Sequence, residues 1–100
     1  MTLSEQDNGR IVELSAGDVV TLRLKENPST GYKWAIESGS ELELMGGKYE
    51  GGEALGAGGV HEFQFRLPRQ GSYELRLKNM REWEGDNSIT ERFKVTIVVK

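Results

Sequence analysis

Val20-Thr21-Leu22-Arg23-Leu24-Lys25 alternates apolar and polar residues without a break. Successive side chains of a β-strand point to opposite faces, so the stretch has one greasy and one wet face and predicts a strand over residues 18–25. The same parity recurs outward from it. It groups Tyr32, Trp34 and Ile36, then Leu42 and Leu44, then Phe63, Phe65 and Leu67, then Tyr73, Leu75 and Leu77, then Phe93, Val95, Ile97 and Val99. Ile11 to Leu14, ahead of the turn Ser15-Ala16-Gly17-Asp18, adds a short edge or first strand and brings the count to about seven. Asn27-Pro28, Gly39, Gly46-Gly47, Gly51-Gly52, Gly58-Gly59, Pro68 to Gly71 and Gly85-Asp86-Asn87 break the runs. No segment sustains a 3.6-residue apolar repeat, so helices are minor or absent and the class is all-β. Seven short strands in a hundred residues predict two antiparallel sheets packed face to face.

Two details sharpen this toward an immunoglobulin-like sandwich. Trp34 falls on the third strand, where such folds bury a tryptophan, and Tyr73 stands two residues before Leu75, at the spacing of a tyrosine corner. Leu22 and Leu75 would fill the place of the disulfide that such domains often carry.

One hundred residues predict a single domain spanning 1–100. The 24 Leu, Ile, Val and Phe residues and a net charge of −3 lack the signature of disorder. Thirteen basic residues are outnumbered by 16 acidic ones and do not cluster, which leaves no footprint for a phosphate backbone and excludes nucleic acid as a partner. No apolar run approaches the roughly 18 residues that span a bilayer, and the polar start lacks the core of a signal peptide. The expectation is no membrane partner, a monomer when free, and either an intracellular protein or the mature form of an exported one.

Chemistry is scarce. Cysteine is absent and His61 is the single histidine, so neither a metal cluster nor a Cys-His pair can be assembled. Seven serines would all need His61 as base, but its parity with Phe63 and Phe65 predicts a buried or strand-end imidazole. Glu41 with Glu43, and Glu82 with Glu84, read as solvated strand faces rather than a glycosidase pair, which needs a walled cleft. Gly56-Ala57-Gly58-Gly59 is followed by neither Gly-Lys-Ser/Thr nor a helix, so it is no phosphate loop. The chain is read as no enzyme, with no cofactor and no metal.

Three unusual loops remain. Asn27-Pro28-Ser29-Thr30-Gly31-Tyr32 joins a fixed φ, a permissive glycine and side chains able to bond their own backbone, which makes a stiff loop. Leu55-Gly56-Ala57-Gly58-Gly59 sets one aliphatic residue beside a stretch with almost no side chains, where a partner can approach the backbone. Asn79 to Gly85 carries Arg81 and Trp83, residue types enriched in binding hot spots. In an immunoglobulin-like sandwich these are the B-C, D-E and F-G loops, and alternating strand direction brings all three to one end.

At these residues the sequence resembles the chagasin family, the inhibitors of papain-like cysteine peptidases. The family pattern is Asn-Pro-Thr-Thr-Gly-aromatic in the B-C loop, Gly-X-Gly-Gly in D-E and Arg-Pro-Trp in F-G. Here these stand as Asn27 to Tyr32, Gly56-Ala57-Gly58-Gly59 and Arg81-Glu82-Trp83, and the likeness extends to Tyr32-Lys33-Trp34 and Glu91-Arg92-Phe93. The resemblance implies that Ser29 and Thr30 lie over the peptidase's catalytic Cys-His pair, that Leu55 fills the apolar non-primed pocket and that Trp83 packs on the primed side. It thereby implies a reversible, competitive inhibitor. Ser29 replaces the usual threonine and Glu82 the usual proline; the second exchange gives the F-G loop more freedom and adds a charge beside Arg81. A reading from another class is a carbohydrate-binding or adhesion module using Tyr32, Trp34 and Trp83 as an exposed aromatic platform. Trp34's parity turns it inward, which weakens that platform.

Overall fold

A computed structural model describes residues 1–27, 30–39, 41–51 and 58–100. The strands among them are β1 (Thr2–Leu3), β2 (Ile11–Leu14), β3 (Val19–Glu26), β4 (Lys33–Ser38), β5 (Glu43–Gly51), β6 (Gly59–Arg66), β7 (Gly71–Met80) and β8 (Glu91–Val99). They form two four-stranded sheets, ordered β1-β3-β6-β5 and β2-β8-β7-β4. With β3 to β8 as strands B to G, this is the A-B-E-D and A′-G-F-C arrangement of an immunoglobulin-like sandwich.

For most of the grouped residues the alternation does what its parity requires; Ile36 and Leu44, each beside a register irregularity, are instead exposed. Val20, Leu22, Leu24, Phe63 and Phe65 of the first sheet are buried together with Leu75, Leu77, Phe93, Val95 and Ile97 of the second. Each such side chain contributes roughly 1.5–3 kcal/mol relative to exposure. Leu22 and Leu75, where a bridging disulfide would lie, are both fully buried. Tyr73 makes the corner bond, its hydroxyl donating to the Arg69 carbonyl at 2.8 Å.

Four expectations are corrected. An eighth strand, β1, exists: it is two residues long and too short to show alternation. The pairings β1–β3 and β2–β8 are parallel, so the sheets are not purely antiparallel. Gly46-Gly47 does not end a strand; β5 runs through both glycines, with a bulge between Leu44 and Gly46. The ladder to β6 overrides the local turn preference there, and a Cβ on Gly47 would come within 3.3 Å of the Glu62 carbonyl oxygen. Glu82 and Glu84 lie in a 3-10 segment, Glu82–Ser88, rather than on a strand.

Among the described residues, three surface carboxylates are held below their ordinary range. The Ser4 backbone N–H, then Arg10, does this for Asp7; Lys48, then Arg23, for Glu50; and Lys78 for Asp86. Each therefore takes up a proton in the unfolded chain before it does in the folded one. The stability they confer is complete above the ordinary carboxylate values and is lost as pH falls through the lower folded ones. Melting temperature should accordingly decline on acidification below about pH 4.5, with a shallower decline for Asp7→Asn. A flat profile from pH 6 to pH 3 would contradict this assignment.

Candidate functional site

Register gathers three connections at one pole. In the first sheet Glu26 pairs with Gly59 and Gly59 with Gly51. In the second, Lys33 pairs with Met80 and Asn79 with Glu91. The β3–β4, β5–β6 and β7–β8 connections all depart from these residues, as strand alternation predicted for B-C, D-E and F-G. Pro28, Ser29, Leu55, Gly56 and Ala57, all read from the sequence as site residues, lie outside the described residues.

The described half of the B-C loop is bonded to itself. Thr30 donates to the Asn27 carbonyl through its backbone N–H at 3.2 Å and through its hydroxyl at 2.7 Å. Its Oγ1 also accepts the Tyr32 N–H at 3.4 Å. Gly31 has φ +82°, a conformation that only glycine adopts without strain.

The F-G loop is fastened directly onto this turn. Arg81 donates through Nε to the Thr30 carbonyl at 3.0 Å, and its guanidinium carbon lies 4.5 Å from the Tyr32 ring centroid. The Trp83 indole lies so close over Gly31 that a Cβ there would collide with its outer carbons. Even so, Trp83 is 72% exposed. The result is a large apolar surface displayed on a defined base.

Ser88 ties the two ends of the F-G loop together. This buried serine accepts the Arg81 N–H at 2.9 Å, and its hydroxyl lies 2.7 Å from the Gly85 carbonyl oxygen. The Arg81 carbonyl accepts the N–H groups of Glu84 and Gly85, both at 3.1 Å. Arg81 forms its ion pair with Glu84, at 3.3 Å, three residues along the loop.

Gly58, at the described end of the D-E connection, lies against the start of the B-C loop. Gly58 (φ +75°) approaches Asn27 closely enough that a Cβ would lie 3.3 Å from both Asn27 Cβ and the Glu26 carbonyl oxygen. An open cleft of about 480 Å³ runs beside this junction, bordered by Glu26, Asn27, Gly58, Gly59, Asn79 and Glu91. Asn27, Thr30, Gly31, Tyr32, Gly58, Gly59, Arg81 and Trp83 are thus brought to one end of the molecule.

Trp34 is not part of an aromatic platform. It is 5% exposed, and its indole Nε1 donates to the Lys25 carbonyl at 2.8 Å. His61 is half-buried, stacked on Phe63 with centroids 4.1 Å apart. Its Nδ1 lies 3.1 Å from both carboxyl oxygens of the buried Glu26. Sequence reasoning missed Glu26, although it continues the inward parity of Val20, Leu22 and Leu24; a scan confined to apolar residues passes over a charged one.

The model of the chagasin family peptidase inhibitors, I42, matches residues 13–97. The chain belongs to the chagasin family. It is 30% identical over 101 residues to chagasin of Trypanosoma cruzi, covering 93% of this chain and 92% of chagasin. In fold it is similar to the cysteine protease inhibitor EhICP2 of Entamoeba histolytica, with a TM-score of 0.88 at 23% identity, over 99% of this chain and 93% of that one. It is also similar in fold to PbICP-C, solved in complex with falcipain-2, with a TM-score of 0.65 at 14% identity, over 100% of this chain and 90% of that one. Members of the chagasin family are inhibitors of cysteine peptidases rather than enzymes.

Proposed function

We propose that this chain is a reversible, competitive, tight-binding inhibitor of papain-like cysteine peptidases, acting as a monomeric single domain whose B-C, D-E and F-G loops plug the active-site cleft. The observation that carries this reading is the fastening of the F-G loop onto the B-C loop, with Arg81 bonded to the Thr30 carbonyl and Trp83 seated over Gly31.

Blockade of this kind needs no chemistry from the inhibitor. A stiff backbone laid across the catalytic thiolate denies it substrate, and without a peptide carbonyl in attack geometry nothing is cleaved. Asn27, Pro28, Ser29, Thr30, Gly31 and Tyr32 would cover the nucleophile. Leu55 and the glycine-rich Gly56-Ala57-Gly58-Gly59 would occupy one side of the cleft, with Arg81 and Trp83 on the other. Three loops can bury about 800 Å² per partner, a standard interface. Affinity at that size depends on how little order must be gained on binding, and the bonds within the F-G loop and from it to the described part of the B-C loop keep that cost low.

Titration of papain with this protein should abolish hydrolysis of a small peptide substrate at one equivalent. Activity should return on dilution, and the inhibitor should be recovered uncleaved. Full activity at a stoichiometric excess, tested also against cathepsin L, would overturn the reading.

A further inference from the structure

Glu26 is the last residue of β3 and carries a carboxyl group on the inward face, at 7% exposure. Burial there carries a desolvation cost, and a well-packed apolar residue is often at least as stable in such a position. What the carboxyl supplies is connection. Its Oε1 accepts the Trp34 N–H at 2.8 Å, at the start of β4. Both its oxygens lie 3.1 Å from Nδ1 of His61, near the start of β6. One side chain therefore joins the strand that leaves the B-C loop to the strand that leaves the D-E loop. The neighbouring bond from Trp34 Nε1 to the Lys25 carbonyl closes the same B-C segment a second time. Stacking on Phe63, at an interplanar angle of 11°, fixes the His61 ring that faces the carboxyl.

We infer that Glu26, through Trp34 and His61, is a positioning residue for inhibition: it sets the spacing between the B-C and D-E loops. This rests on the inhibitor reading above. The distinguishing comparison is between Glu26→Leu, which suits the apolar parity of the site but accepts no hydrogen bond, and Glu26→Gln, which keeps an acceptor for the Trp34 N–H. Glu26→Leu should remain folded yet inhibit papain about tenfold more weakly, chiefly through faster dissociation, a change of about 1.4 kcal/mol. Glu26→Gln should recover most of that loss, whereas a role confined to stability would shift melting temperature without such rescue. If Glu26→Leu does not fold, His61→Phe, which keeps a ring stacked on Phe63, provides the same readout and should also weaken inhibition.

Folded Glu26→Leu or His61→Phe with unchanged inhibition, or Glu26→Gln no better than Glu26→Leu, would overturn the inference. If the unaltered chain fails to inhibit any papain-like peptidase, the inhibitor reading itself falls, and amide hydrogen exchange then tests the clamp separately. Exchange at Trp34 should accelerate in Glu26→Leu and slow again in Glu26→Gln; no change would remove the clamp as well.

Discussion

Gly59→Ala should cost about 2–3 kcal/mol of stability, the upper part of the range for overpacking a tightly filled site. A Cβ at this position would collide with the Glu50 carbonyl oxygen and come within 2.7 Å of Gly51 Cα. Those are backbone atoms of the adjacent strand, paired with β6 in register, so no side-chain rotation relieves the contact. Relief requires β5 to move away from β6, which opens the mouth of the D-E connection. Chemical denaturation would measure the stability loss, and papain titration should show weaker inhibition at temperatures where the variant is still folded. Unchanged stability would mean that β5 yields freely and that the close approach has no structural consequence.

Trp83→Ala should leave stability almost untouched while weakening inhibition by about 1–3 kcal/mol, the scale of an interface hot spot. The two effects separate because the indole is mostly solvent-exposed in the free protein and rests on Gly31 rather than in the core. Gly31→Ala makes the complementary perturbation, keeping the indole but removing its seat. It should destabilise the fold by about 1–2 kcal/mol, because φ +82° puts a Cβ too close to the following carbonyl oxygen. The displaced indole should then weaken inhibition although Trp83 is present. Inhibition constants for both variants equal to that of the unaltered protein would place the anchor outside the F-G loop.

Much of the fold was legible because alternation is a local signal. Val20, Leu22 and Leu24 point inward for the same reason that Thr21, Arg23 and Lys25 do not, and no distant residue is needed to see it. Reading failed where a distant strand outweighed a local preference. Gly46 and Gly47 look like a break, yet opposite Gln64 and Phe63 they extend a nine-residue strand. β1 offers two residues and no period at all, and is a strand only because Thr2 and Leu3 lie beside Thr21 and Leu22.

The site divides along the same line. The residue types at its tips, and the pole to which they belong, follow from sequence through motif and strand direction. The contacts that make a single surface of them do not. Arg81 meets Thr30 across 51 positions of chain, and Glu26 meets His61 across 35. Sequence by itself determined most of the strands, the sandwich and the composition of the three loops, because period and turn chemistry act over a few residues. Only the tertiary structure decided which loop braces which, because register and the crossing from one sheet to the other set distances between residues far apart in the chain.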